Sequence, residues 1–120
     1  MKRASIPKTL REKVKRKYSG KCAYCGCVTE KLCIDHLVPV AKSHWLEKLN
    51  KSVNDLENLM PACYQCNNYK LVFDIEEFRA MIQSQVNMAR KYSVNFRFAE
   101  KYGLIQEIKK PIKFYFEDLK

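Results

Sequence analysis

Cys22-Ala-Tyr-Cys25 and Cys63-Tyr-Gln-Cys66 place four thiols in two C-x2-C pairs separated by 37 residues. Each pair makes a short turn, and two such turns can close a tetrahedral cage of thiolates around a structural metal ion. Thiolates suit Zn²⁺ because it is borderline soft, and four of them leave no open position for a reacting molecule. A structural zinc on Cys22, Cys25, Cys63 and Cys66 is therefore expected, against the plainer alternative of small buried hydrophobes or a redox pair. Cys27 and Cys33 fall outside the pattern and are expected as half-buried thiols. A second set of residues suits different chemistry: Asp35-His36 lies between the pairs, Asn58 precedes the second pair by five residues, and Asn67 follows its last cysteine, with Lys70 three further on. Histidine can be neutral near pH 7 and take a proton from water. A carboxylate and an amide carbonyl are hard oxygen donors suited to Mg²⁺ or Mn²⁺. Those groups together could hydrolyse a phosphodiester, which needs a deprotonated water in line and charge stabilisation on the departing oxygen.

Short elements must hold these groups in place. Ile6, Leu10, Val14 and Tyr18 recur at i+4 after the helix-starting Pro7 and before Gly20, which predicts an amphipathic helix with a wide basic face. Gly20 to Gly26 reads as the first cysteine knuckle, and 31–38 as a short strand ended by Pro39. A polar connection follows over 41–57, with a short helix near 45–49. Asp74 with Glu77 is a capping-box signature opening a helix over 75–92, whose apolar face is Ile75, Phe78, Ile82, Val86 and Ala89. A further helix over 95–102 ends at Gly103, and Ile112, Phe114 and Phe116 alternate with polar neighbours as a terminal strand. Trp45, Phe96, Phe98, Phe114 and Phe116 are expected in the core. Asp35 and His36 would face opposite sides of a regular strand, so a twisted end or an irregularity before Pro39 is expected to turn one of them.

The chain has 120 residues, 47% hydrophobic and 30% charged, enough for one compact domain and too apolar for disorder. It has no apolar run long enough to span a bilayer. Its 23 Lys and Arg against 13 Asp and Glu give a formal charge of +10, so a polyanion is the default partner. The excess is local. Residues 1–21 hold nine basic side chains and one acid, residues 22–70 hold five of each, and residues 71–120 hold nine against seven. The basic segment lacks the apolar stretch of a signal peptide, and a cytoplasmic protein is expected. Arg3, Arg11, Lys15 and Arg16, with Lys21 beside the knuckle and Lys70 beyond the second, are the candidate phosphate contacts.

In order, Cys22-x2-Cys25, Ile34-Asp35-His36-x2-Pro39, Glu57-Asn58-Leu59 and Cys63-x2-Cys66-Asn67-x2-Lys70 resemble the HNH endonuclease family in its zinc-stabilised form. The resemblance covers roughly residues 20–70. It implies an α+β, ββα-metal fold with a four-cysteine zinc site, flanked by the basic N-terminal helix (1–21) and by a C-terminal helix and short strand (71–120), all one nuclease domain. It also implies that His36 is the general base, that Asp35 and Asn67 hold a catalytic Mg²⁺ or Mn²⁺, and that Asn58 orients the loop beneath the histidine. Asn67 stands where some members have histidine. The family's Gly-Gly pair is missing from the loop holding His44 and Trp45, and the 22 positions from His36 to Asn58 make that loop long. The expected activity is a metal-dependent DNA endonuclease that nicks double-stranded DNA with low intrinsic specificity, with a dimer or larger assembly left open. The resemblance also implies a bacterial cell or phage-infected host as the setting. Two rival readings are a non-catalytic zinc-binding nucleic-acid adaptor and a subunit of a phage packaging or restriction assembly.

Overall fold

The computed structural model describes residues 5–119. Among them, a two-stranded antiparallel sheet is surrounded by helices. Strand β1 (Cys33–His36) pairs with β2 (Leu59–Ala62) in the register Cys33↔Ala62, Ile34↔Pro61, Asp35↔Met60 and His36↔Leu59. Helix α1 (Lys8–Arg16) precedes the sheet, α2 (His44–Glu47) lies in the long connection, and α3 (Tyr64–Lys70) follows β2 directly. Beyond it come α4 (Ile75–Gln83), α5 (Gln85–Tyr92), α6 (Val94–Lys101) and α7 (Tyr115–Asp118). No helix among the described residues is long and apolar enough to cross a membrane.

The first knuckle is a turn closed on itself. Cys22 N–H donates to Cys27 O at 2.9 Å and Gly26 N–H to Cys22 O at 3.0 Å, while Lys21 and Val28 form an isolated antiparallel bridge. Ala23 N–H then donates to Pro61 O at 2.8 Å, which lays the knuckle against β2. Tyr24, between the two cysteines, enters the core. Its ring meets Phe78 and Phe114 edge-on at 5.5 and 5.6 Å, and those two rings stack at 5.2 Å. Cys22, Ala23, Met60, Ala62 and Cys63 complete the buried cluster. Sulfur ligands and hydrophobic core are thus one unit.

The capping box is present: Asp74 Oδ1 accepts from Glu77 N–H at 2.9 Å, and Glu77 Oε1 accepts from Asp74 N–H at 3.0 Å. Four expectations need correction. The helix over 75–92 is two helices, because at Ser84 the hydroxyl donates to Met81 O at 2.7 Å and the Gln85 amide donates to the same carbonyl at 2.9 Å, competing with the ladder. The terminal strand does not form. Residues 112–114 are extended without a strand partner, Tyr115 and Phe116 N–H donate to Tyr24 O and Ala23 O at 2.9 and 2.8 Å, and α7 follows. Of the aromatic residues expected in the core, Phe114 is buried at 2% exposure, but Trp45 is 44% and Phe98 53% exposed. Lys42 lies over the Trp45 ring at 5.0 Å instead. Cys27 is exposed rather than half-buried, and Cys33 is half-buried as expected.

Gly26 sits at φ +78°, and a Cβ there would stand 3.1 Å from the Tyr115 ring. Gly20 has the same handedness at φ +79° with open space around it. Gly26→Ala is therefore expected to cost more than the 1–2 kcal/mol or so of left-handed backbone strain that Gly20→Ala alone incurs. Urea unfolding of the two variants side by side checks the order.

Candidate active site and four-cysteine cluster

Strand β1 ends in the two residues of greatest chemical interest, and each is held by a different element. Asp35 and His36 are both buried, at 6% exposure. Pairing with β2 is unbroken through both positions, so no bulge lies between them. Asp35 Oδ2 receives the Tyr24 hydroxyl at 2.5 Å and lies 2.9 Å from Lys70 Nζ. Burial first, and the Asp35 charge second, push the Tyr24 phenol far above its ordinary pKa, so it stays protonated and donates. Lys70 closes the arrangement by also donating to His36 O at 2.7 Å. One ammonium at the end of α3 thereby fixes the side chain of one β1 residue and the backbone of the next.

His36 turns its ring elsewhere, with Nε2 2.9 Å from Asn54 Oδ1. The loop that supplies Asn54 is clamped by Asn58. Its amide donates to Val53 O at 2.8 Å and Val38 O at 3.1 Å, and its Oδ1 accepts from Val38 N–H at 2.8 Å. The buried Asn58 thus closes the connection from β1 to β2 at its base. The strand becomes irregular only after His36, where a side chain replaces a strand partner at Val38, so the irregularity expected to turn Asp35 or His36 does not fall between them.

Asn67 is half-buried one turn before Lys70 on α3, on the same helix face. The residues present fit a hard divalent ion to this extent: both polar contacts of the Asp35 carboxylate fall on Oδ2, and the Asn67 side-chain amide has no hydrogen-bond partner among the described residues, while its backbone N–H donates to Cys63 O. Asp35 and Asn67 are oxygen donors of the right kind. The sulfur cluster fits a soft ion more fully. The Sγ atoms of Cys22, Cys25, Cys63 and Cys66 all lie within 4.8 Å of one another, and Cys25 and Cys63 are 3.8 Å apart. A tetrahedron with metal–sulfur bonds of about 2.3 Å has edges of about 3.8 Å. Cys22 is pulled down to about 4, chiefly by the hydrogen bond from the Cys66 thiol and also by backbone N–H groups, while that same bond and burial push Cys66 up. Burial pushes Cys25 up to about 12.

The basic residues divide. Arg11, Lys15 and Arg16 are exposed on α1, and Arg11 and Lys15 line a groove with Leu32, Cys33 and Ile34 beside β1. Lys21 is half-buried with its ammonium 5.4 Å from the Tyr115 ring centre. Arg3 lies outside the described residues. Lys70 is a correction: expected at a phosphate-binding face, it has no exposed surface and is committed to Asp35 and His36. Lys17, from the same basic segment, also turns inward and donates to Leu56 O and Leu59 O at 2.9 and 3.1 Å. His44 is exposed against Trp45. Tyr24, Asn54 and Lys17 are not signalled by any spacing in the sequence.

Residues 22–71 match the model of the HNH endonuclease family, the family that the motifs resemble. The chain is also 33% identical over 69 residues to a Bacillus subtilis (strain 168) protein named "SPbeta prophage-derived putative HNH endonuclease YoqL". That alignment spans 56% of this chain and 30% of the relative. No solved structure matches.

Removing the Lys70 ammonium would strand the Asp35 carboxylate in the interior, a loss of about 3–5 kcal/mol. Lys70→Met is expected to destabilise by that order, and Asp35→Leu in the same chain to restore most of it. Denaturant unfolding of the wild type, the single variant and the pair decides the matter, and additive losses would contradict a buried ion pair.

Proposed function

We propose that this chain is a metal-dependent DNA endonuclease in which His36 is the general base. The observation that carries the reading is the fixation of Asp35 and His36 at the end of β1 by three separate supports: Lys70, the Asn58 clamp and the Tyr24 hydroxyl. A buried histidine on a buried strand end, backed by a loop whose own backbone is tied down, suits a base that must meet a water in one orientation. His36 takes the proton from the attacking water and leaves the hydroxide to attack phosphorus in line. Asp35 and Asn67 would hold a divalent ion, Mg²⁺ or Mn²⁺, which would supply Lewis-acid stabilisation of the phosphate and leaving oxygens. Asn58 positions and does not react. Zinc on the four cysteines is structural.

Arg11, Lys15 and Arg16 with Lys21, and Arg3 beyond the described residues, are the phosphate contacts of this reading. They grip a backbone and carry no base readout, so cleavage has low intrinsic specificity. One site per chain nicks double-stranded DNA unless two chains act together. A specific observation favours a second reading, a non-catalytic zinc-containing nucleic-acid adaptor: the Lys70 ammonium already neutralises Asp35, which weakens its call on a second cation.

Supercoiled plasmid incubated with zinc-loaded protein and Mg²⁺ or Mn²⁺ separates the two. The wild type is expected to give open circles, and His36→Ala to lose activity by about 10²–10⁴-fold while retaining zinc and DNA binding. Equal rates from the two proteins would remove the base assignment. No cleavage by either, with DNA still bound, would favour the adaptor.

Zinc binding is expected to strengthen with pH. Because Cys25 and Cys66 are held above their ordinary thiol range, both carry protons at neutral pH that a metal must displace. Chelator competition at pH 6 and pH 8 should show higher affinity at pH 8, with proton release visible by calorimetry in buffers of different ionisation enthalpy.

A further inference from the structure

Neutral imidazole can accept a proton through only one of its two ring nitrogens, so a histidine base works only if its N–H is kept on the other. The structure places one acceptor against the ring, Asn54 Oδ1, 2.9 Å from Nε2. An amide oxygen cannot donate, so in this arrangement Nε2 carries the hydrogen. Nδ1 is left with the lone pair.

Asn54 sits in a turn that is tied at three points. Its backbone N–H donates to Ser52 Oγ at 3.2 Å, and Asp55 Oδ2 beyond it accepts from Ser52 N–H at 3.0 Å, which closes a tight turn around it. On the other side the Asn58 amide holds the carbonyl of Val53, the residue directly before Asn54, at 2.8 Å. Asn58 therefore reaches His36 through a chain of supports: its side chain fixes the loop, the loop fixes Asn54, and Asn54 fixes the ring. The charged groups beside His36 do not compete for Nε2. Asp35 faces Tyr24 and Lys70, and the Lys70 ammonium lies on the His36 carbonyl.

We propose that Asn54 is the positioning residue of the active site, holding His36 as the Nε2–H tautomer so that Nδ1 is the atom that accepts the proton from water. This rests on the nuclease reading for its kinetic consequence, but not for its structural one. Asn54 touches neither substrate nor metal in this role, and its loss should lower kcat with little change in KM.

The test uses the 120-residue, zinc-loaded chain, selectively ¹⁵N-labelled at histidine. The sequence has only two histidines, and a His44→Gln variant assigns the spectrum. In the wild type, the His36 ring is expected to show a protonated Nε2 and an unprotonated Nδ1. Asn54→Leu keeps the bulk and removes the acceptor, and should give mixed tautomers and a kcat on plasmid with Mg²⁺ about 10–100-fold lower. Asn54→Asp keeps an oxygen at the same place and should restore both the tautomer and most of the rate. A wild-type ring protonated on Nδ1, or an Asn54→Leu protein whose tautomer is unchanged, would overturn the proposal. Loss of rate in Asn54→Leu that Asn54→Asp fails to rescue would also count against it. If His36→Ala cleaves as fast as wild type, the nuclease reading fails, whereas the tautomer spectra still decide whether Asn54 orients the ring.

Discussion

A lysine ammonium with no exposed surface has to find its charge partner and its hydrogen-bond acceptors inside the fold, and Lys70 finds both on a single strand. The Asp35 carboxylate and the His36 carbonyl each take one of its contacts. The third member, Tyr24, comes from between two cysteines and brings its hydroxyl to the same carboxylate oxygen. A pair of this kind adds little net stability over a hydrophobic replacement, because both charges have been stripped of water. What it can confer is uniqueness. Slipping β1 by one residue would point Asp35 away from Lys70 and leave two buried charges unpaired, so register, helix docking and knuckle position are set together.

The sulfur cluster and the aromatic core converge on the same few residues. Cys22, Ala23 and Tyr24 are buried side by side, with the Tyr24 ring edge-on to the stacked Phe78 and Phe114. A two-stranded sheet of four-residue strands is too small to stand alone in water. An ion bound by the cysteines would add its folding free energy at that same cluster. The C-terminal segment contributes from the other side: the N–H groups of Tyr115 and Phe116 reach back to the knuckle carbonyls. Residues far apart in the chain therefore meet at the knuckle, and the Asp35 contact passes that order on to β1.

Features whose signal is local are legible in the amino-acid sequence. The paired cysteines, the Asp74–Glu77 cap and the end of α6 at Gly103 all follow from spacing or from a residue's backbone habits, and the structure places each where the spacing implies. The groups with no local signature act over distance. Tyr24 meets Asp35 across 11 positions, Asn54 meets His36 across 18, Lys70 meets His36 across 34 and Lys17 meets Leu56 across 39. A lysine's identity says nothing about which way it faces, so Lys70 and Lys17 read as surface charge, and only their partners across the fold turn them inward. The terminal strand that does not form has a related cause. Alternation at Ile112, Phe114 and Phe116 reports one buried side, and a strand differs from a docked extended segment only in whether another strand lies beside it.

Lys17 gives the basic helix a second property besides its charge. Its ammonium sits on the carbonyls of Leu56 and Leu59, at the turn that leads through Asn58 into β2. The inner end of α1 is therefore bolted to the loop that carries Asn54, while its outer face presents Arg11, Lys15 and Arg16 to solvent. A load applied to that outer face is borne by the turn behind the histidine. In the proposed nuclease, grip and aim would share one strut, so interaction energy gathered along the helix would be felt as rigidity at the ring of His36, rather than dissipated in a swinging arm.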